Sequence, residues 1–246
     1  MNSPVFFLGG LDAEMCEIRS ILKEREQPFY DKNLSWGARL SDYKNEVRTL
    51  PNNVIPVFVE LTIDLPLPEK AIVIDHHNEK AGTDKPTSIE QVAQLLGIKL
   101  NRRQQLIAAN DRAHIKGMIH AGATPQKITE IRAFDRRCQG VTEDEEKQAE
   151  SICACFRSKG KLDVMEIQFP HTSPITDRLF DQFQNLLVIT PIAINFFGRG
   201  NIVKILSEKY KGSWYGGNLP EDGFWGMKRI SLNQIEEIKS LLTRLV

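Results

Sequence analysis

Residues 72–78 read IVIDHHN: three β-branched residues run straight into an acid and two imidazoles, Asp75, His76 and His77. The apolar half has the composition of a buried strand. It ends on groups that are costly to hide unless paired, hydrogen-bonded or bound to a metal. Taken alone, the stretch fits a metal site, a catalytic acid or base, or a polar exit from strand to loop.

The flanking chain supplies the fold class. Residues 3–10, SPVFFLGG, read as a strand closing on a glycine pair. A helix follows in LDAEMCEIRSILKE, where Met15, Ile18, Ile21 and Leu22 recur at helical spacing. VIPVFVEL (54–61) and AIVIDHH (71–77) are two more continuous apolar runs. Continuous rather than alternating runs indicate strands covered on both faces, hence an α/β fold with a parallel sheet and crossover helices.

SIEQVAQLLG (88–97) reads as a helix with Ser88 as N-cap, Gln91 completing a capping box and Gly97 just past the end. RRQQLIAANDRAHI carries Asp111 near its end. TPQKITEIRAF and TEDEEKQAESICACF are further helices, the latter opening on a Thr142–Glu145 capping box. Its apolar residues Ile152, Cys153 and Phe156 are sparse, as in a surface connecting helix.

RSKGK (157–161) marks a boundary near residue 160, giving a first domain over 1–158 and a smaller α/β domain over 161–246. In the second, LDVMEIQF, LLVITP, AINFFG and FWGMKRI read as strands. PITDRLFDQFQ, NIVKILSEKY and the capped SLNQIEEIKSLLTRL read as helices, and GSWYGGN as a glycine-rich turn.

Composition narrows the function classes. The 246 residues are 41% hydrophobic and 26% charged, and 32 Lys plus Arg balance 32 Asp plus Glu. Gripping long duplexes usually calls for a basic excess, so a small or short ligand is expected. The four cysteines form no C-x-x-C pair and suit reduced thiols in a cytoplasmic protein. The most apolar stretch, LLVITPIAINFF, is about half a membrane span and contains Pro191 and Asn195, so no membrane association is expected.

In an α/β sheet, ligands gather at the carboxyl ends of the strands. Asp12 after FFLGG, Glu60 after VIPVFV, the Asp75-His76-His77 run and Asp111 after LIAAN all fall at such ends or beside them. Carboxylates with one or two imidazoles and no thiolate suit Mn²⁺, Mg²⁺ or Fe. Each residue also has a plainer reading: Asp12 as a helix N-cap, Glu60 as a solvated strand end, Asp111 paired with Arg112 or Arg103.

The order of these elements resembles the DHH superfamily of metal-dependent phosphoesterases. IVIDHHN carries its third motif, and LIAAND looks like its fourth. FFGRGNIVKILSEKYKGSWYGGN followed by FWGMKRI is similar to the DHH-associated C-terminal domain, in which a glycine pair, here Gly216 and Gly217, lies beside the substrate.

The resemblance implies a metal set of Asp12, Glu60, His76 and Asp111, with Asp64 as a rival to Glu60. The divalent ion would be Mn²⁺, or Mg²⁺. Asp75 would orient an imidazole, and His77 would face the substrate phosphate. The substrate implied is a small nucleotide or short oligonucleotide held between the domains, and a homodimer is left open. The family's first motif supplies a His, an Asp four residues on and a second Asp two further. This chain has Phe6, Gly10 and Asp12 there, which implies one bound ion rather than a tight pair, or a chain that binds without hydrolysis.

Other candidates keep two readings at this stage. Gly216-Gly217 suits either an anion or a hairpin turn. Arg199 suits an anion at a helix start or plain solvation. Trp214, Tyr215, Phe224 and Trp225 suit base stacking or packing under a hairpin. His114, His120 and His171 read most simply as surface or capping residues.

Overall fold

A computed structural model of the chain describes residues 3–76, 85–228 and 231–246. It divides into two compact units, Met1–Gly140 and Val141–Val246.

In the first unit, strands β1 (Ser3–Leu8), β2 (Phe29–Asp31), β3 (Val54–Val59) and β4 (Ile72–Ile74) form one sheet in the order β2-β1-β3-β4. All three pairings are parallel, as the unbroken apolar runs require. Helices α1 (Ala13–Glu24), α2 (Lys44–Arg48), α3 (Ser88–Leu96), α4 (Arg102–His120) and α5 (Pro125–Cys138) complete the unit.

Alternate strand residues enter two cores. Phe6, Leu8, Val57, Val59 and Ile74 pack against Met15, Ile18, Leu22, Ile89 and Val92 on one face. Val5, Phe7 and Phe58 pack against Ala38, Leu40, Tyr43 and Leu61 on the other. That second face is closed largely by a short 3-10 turn, Leu40–Tyr43, and the Tyr43 hydroxyl donates to the Leu8 carbonyl at 2.6 Å.

Two local readings shift. The N-cap of α3 is Thr87 with Glu90, not Ser88 with Gln91. Ser88 is buried close to Glu60, whose carboxyl it influences. Gly97 closes the helix in the left-handed conformation, φ 65°, as expected. Helix α4 breaks at Ala113 and His114, leaving Asp111 in the last turn of its first segment.

The unit division falls between Gly140 and Val141 rather than near residue 160. Helix α6 (Glu143–Ala154) packs with the second unit: Ala149, Ile152, Cys153 and Phe156 join the cluster of Ile167, Phe169, Ile175, Leu179 and Val188. The connecting helix thus buries its few apolar residues where they find partners.

That unit holds β5 (Asp163–Glu166), α7 (Ser173–Arg178), β6 (Leu186–Ile189), β7 (Ala193–Arg199), α8 (Gly200–Lys209), β8 (Trp214–Gly216), β9 (Asp222–Lys228) and α9 (Leu232–Leu245). The sheet order is β5-β6-β7-β9-β8; β5–β6 is parallel and the remainder antiparallel. GSWYGGN is therefore an edge strand and its exit, not only a turn. Helices α8 and α9 cover one face through Ile202, Val203, Leu206, Ile235 and Ile238 around Trp225. Among the described residues, no helix is long and apolar enough to cross a membrane.

Candidate metal centre

The carboxyl ends of β1 and β3 meet in a close backbone contact. A Cβ built on Gly9 would sit 2.6 Å from the Glu60 carbonyl oxygen, so only glycine fits there. Glu60, just past β3, has a φ of 55°, a left-handed conformation uncommon for a side-chain-bearing residue and a recurrent feature of functional sites. Its N–H donates to the Ile74 carbonyl at 2.9 Å, so the next strand holds the turn.

Around Glu60 the structure gathers Glu14 and Asp111. Each offers a carboxylate oxygen, and the three oxygens lie within 4.8 Å of one another. Glu14 is 1% exposed. Its Oε1 accepts from the Ile89 N–H, in the first turn of α3, at 3.0 Å. Its Oε2 is buried with no hydrogen-bond partner among the described residues. Burial, then the charges of Glu60 and Asp12, hold the Glu14 carboxyl well above its ordinary range, against the Ile89 N–H and Thr87. Burial, then Asp12 and Asp111, do the same to Glu60, opposed by Ser88 and Glu14. Buried carboxylates pressed together this way favour either protons or a divalent cation. The all-oxygen donor set is the kind that Mg²⁺ and Mn²⁺ take.

Of the residues expected from sequence, Glu60 and Asp111 are brought together. Asp12 stands close enough to act on both glutamates electrostatically, while its Oδ1 accepts from the Met15 N–H at 2.9 Å and caps α1. It is therefore a cap, as its plainer reading had it, and also a charge in the site. His76 is buried just beyond β4, outside the close trio. Asp75 precedes it, and its carbonyl accepts from Gln91 at 3.1 Å. His77 lies outside the described residues. Asp64 accepts from the Ser41 N–H and hydroxyl at 2.9 and 2.7 Å, a surface tie. Arg103 pairs with Glu17 and Arg112 with Glu90, so both arginines expected beside Asp111 hold other carboxylates.

Sequence reasoning missed Glu14. The signal was present: positions 14, 18, 21 and 22 share one helical face, so an acid sat on a stripe otherwise filled by Ile18, Ile21 and Leu22. A second network steadies that helix. Asp135 of α5 accepts from the Ala13 N–H at the start of α1 and from Arg132, both at 2.8 Å, and Arg132 reaches Asn110 of α4 at 3.0 Å. In the second unit, Arg199 is exposed at the end of β7, Gly216 ends β8 and Gly217 follows with φ 112°.

No family model matches the chain, and no curated protein does. Among solved structures, the DHH domain of a protein described as a member of a family of ribosomal proteins superposes with a TM-score of 0.50. The match covers 99% of this chain and 86% of that one at 12% identity. The chain has the fold of the DHH superfamily.

Exonuclease RecJ bound to manganese aligns over 92% of this chain and 86% of its own, with a TM-score of 0.40 and 11% identity. RecJ from Thermus thermophilus in complex with Mg²⁺ aligns over 92% of this chain at a TM-score of 0.41 and 14% identity; this chain spans 47% of that one. Within the DHH fold, Phe6 is fully buried in the α1-side core. A Cβ on Gly10 would stand 3.5 Å from Glu60 Oε2 and 2.8 Å from Met15 Cγ.

Proposed function

We propose that the chain is a DHH-type, metal-dependent phosphoesterase acting on a small nucleotide or short oligonucleotide in the cytoplasm. The observation that carries this reading is the Glu14–Glu60–Asp111 cluster, with Glu14 buried and the other two half-buried, at the carboxyl end of a parallel sheet. These three would hold one divalent ion, Mn²⁺ or Mg²⁺, with Asp12 and His76 as the further donors that the resemblance implies. When bound, such an ion polarises a phosphoryl oxygen and lowers the barrier to its hydrolysis.

The chain's own residues supply the rest. Glu14 is fixed by the Ile89 N–H, and Glu60 by its strained turn, so the donors are positioned before any ligand arrives. Asp75 orients an imidazole, and His77 protonates the leaving oxygen. Gly216, Gly217 and Arg199 touch the substrate. One ion rather than two follows from Phe6 and Gly10, which offer no ligand where the first motif normally does. Turnover is accordingly slow.

The same two residues favour a second reading, in which the chain binds a nucleotide or a protein partner without hydrolysing anything. Calorimetric Mn²⁺ titration, followed by a panel of phosphodiesters with Glu14→Gln, Glu60→Gln and His77→Ala, separates the two. The enzyme reading expects one ion per chain, lost in both glutamate variants, and turnover lost in all three. Metal binding without turnover of any ester supports the second reading. Unaltered metal binding in Glu14→Gln and Glu60→Gln overturns the site.

A further inference from the structure

On the face of the second sheet opposite α8 and α9, the core under α6 and α7 reaches as far as Phe197 of β7, and beyond it β9 and β8 present half-buried or exposed aromatic rings. Cross-strand register puts Asn195, Gly226 and Trp214 in one row and Phe197, Phe224 and Gly216 in the next. A Cβ on Gly226 would meet the Trp214 indole, with Cε2 at 2.6 Å, and Asn195 Oδ1 at 2.6 Å. A Cβ on Gly216 would meet the Phe224 ring, with Cζ at 2.8 Å.

Each ring is therefore laid across a glycine of the neighbouring strand, one face down on the sheet. Trp214 is half-buried and Phe224 is 41% exposed, whereas Trp225, on the opposite face, is fully buried beneath α8 and α9. The glycines cost strand stability, since they offer no side chain to pack. Here they give two large rings flat seats.

The same face carries charge at both ends. The row beyond Trp214 ends in Lys228, paired with Ala193, and the row beyond Phe224 holds Arg199, paired with Asp222. Lys228 and Arg199 are exposed. Flat aromatic faces between two cations, with one acid among them and an amide at Asn195, match the chemistry of unpaired nucleobases on a phosphate backbone. An uncharged apolar peptide would gain nothing from the flanking cations.

We propose that Trp214 and Phe224 form a stacking platform for the bases of a short single-stranded oligonucleotide, with Arg199 and Lys228 on its phosphates. The choice of ligand rests on the phosphoesterase reading above. The test is metal-free, so that failure of the platform and failure of the catalytic site register separately.

The full chain in chelator is titrated with a fluorescein-labelled oligothymidylate of about six nucleotides, within the usual site size of such grooves, and anisotropy is recorded. Trp214→Leu and Phe224→Leu keep an apolar cover over each glycine but remove the π face. Each is expected to weaken binding about tenfold, within the range for loss of one stacked base. An abasic oligomer with the same phosphates should bind about tenfold more weakly than the thymidylate. Tyr215→Leu, whose side chain shares the Trp225 side of the sheet, should bind as the native chain does.

Should Trp214→Leu misfold by circular dichroism, Phe224→Leu, at an exposed position, still decides the matter. Native affinity in Phe224→Leu, equal binding of the abasic oligomer, or no binding of the thymidylate to the native chain overturns the platform.

Discussion

Glu14 and Glu60 bring carboxylate oxygens within 4.8 Å of each other, although one rides the first helix and the other the turn after the third strand. Neither is exposed enough for water to separate their charges, and Asp111 completes the crowd. The local balance between proton and cation therefore governs stability as well as the proposed chemistry.

The pH dependence has a definite sign. Both carboxyls are held above their ordinary value of 4.5 in the folded chain. The folded state thus keeps protons that the unfolded state has released. The resulting stabilisation is complete below the unfolded value and is lost as pH rises through the folded-state values. A divalent cation competes with those protons, so the rise in Tm on adding Mn²⁺ should grow between about pH 5 and pH 8. Thermal melts at several pH values, with and without Mn²⁺, measure it. A Mn²⁺ effect independent of pH would count against the cluster.

Neutralising one member should help the metal-free chain. Glu60→Gln removes a carboxylate that is costly to bury and whose charge, after burial, helps raise Glu14, and each unit of pKa shift corresponds to about 1.4 kcal/mol. Above pH 7 the variant should melt a few degrees higher in chelator, at about 2–4 °C per kcal/mol for a chain of this size. It should also lose its Mn²⁺ response. A lower Tm in chelator would show that the native carboxylate is already compensated.

Gly9→Ala tests the backbone contact that seats Glu60. The new Cβ would press on the Glu60 carbonyl oxygen at 2.6 Å, and backbone must move to admit it. A cost of about 1–3 kcal/mol is expected, as for other overpacked sites. Mn²⁺ affinity should fall at least about tenfold, since small misplacements of a fixed donor are costly. Calorimetry beside urea unfolding would expose the alternative, a stability loss with affinity intact.

Asp135→Ala probes the support of α1. It strips the buried Arg132 of a carboxylate and the Ala13 N–H of its acceptor. Breaking a buried pair from one side costs about 3–5 kcal/mol. Asp135→Asn, which retains an acceptor for Ala13, should lose clearly less by urea denaturation. Equal losses would assign the effect to charge alone.

Gly10→Asp places a carboxylate where the DHH first motif has one. Its Cβ would stand 3.5 Å from Glu60 Oε2, and the flexible Met15 side chain must give way. In chelator the added charge should destabilise the chain; with Mn²⁺ it should tighten binding or add a second ion by calorimetric stoichiometry. Weaker Mn²⁺ binding would show that the position does not serve the metal.

Much of the fold was legible in the chain. Unbroken runs such as VIPVFVEL and AIVIDHH encode double-sided burial, and burial on both faces leaves a parallel sheet as the consistent solution. The three-residue β2 and β8 and the short α2 carried no comparable signal, since their residues are recruited by neighbours rather than by their own periodicity. The division at Gly140 was likewise hidden: the charged surface of α6 suggested a free connector, while the few residues that commit it, such as Ala149, find their partners only in the second core.

The sequence by itself determined that polar groups would collect at strand ends, because IVIDHHN and VIPVFVE each run apolar into acid. It marked Glu60 and Asp111, and it marked Phe6 and Gly10 as departures from the first motif. Only the tertiary structure decided that Glu14 joins them and that Asp12 commits an oxygen to capping α1. It likewise laid Trp214 and Phe224 down on glycines. A one-dimensional pattern gives spacing along an element, whereas the approach of carboxylates from a helix, a turn and a second helix is set by how those elements pack.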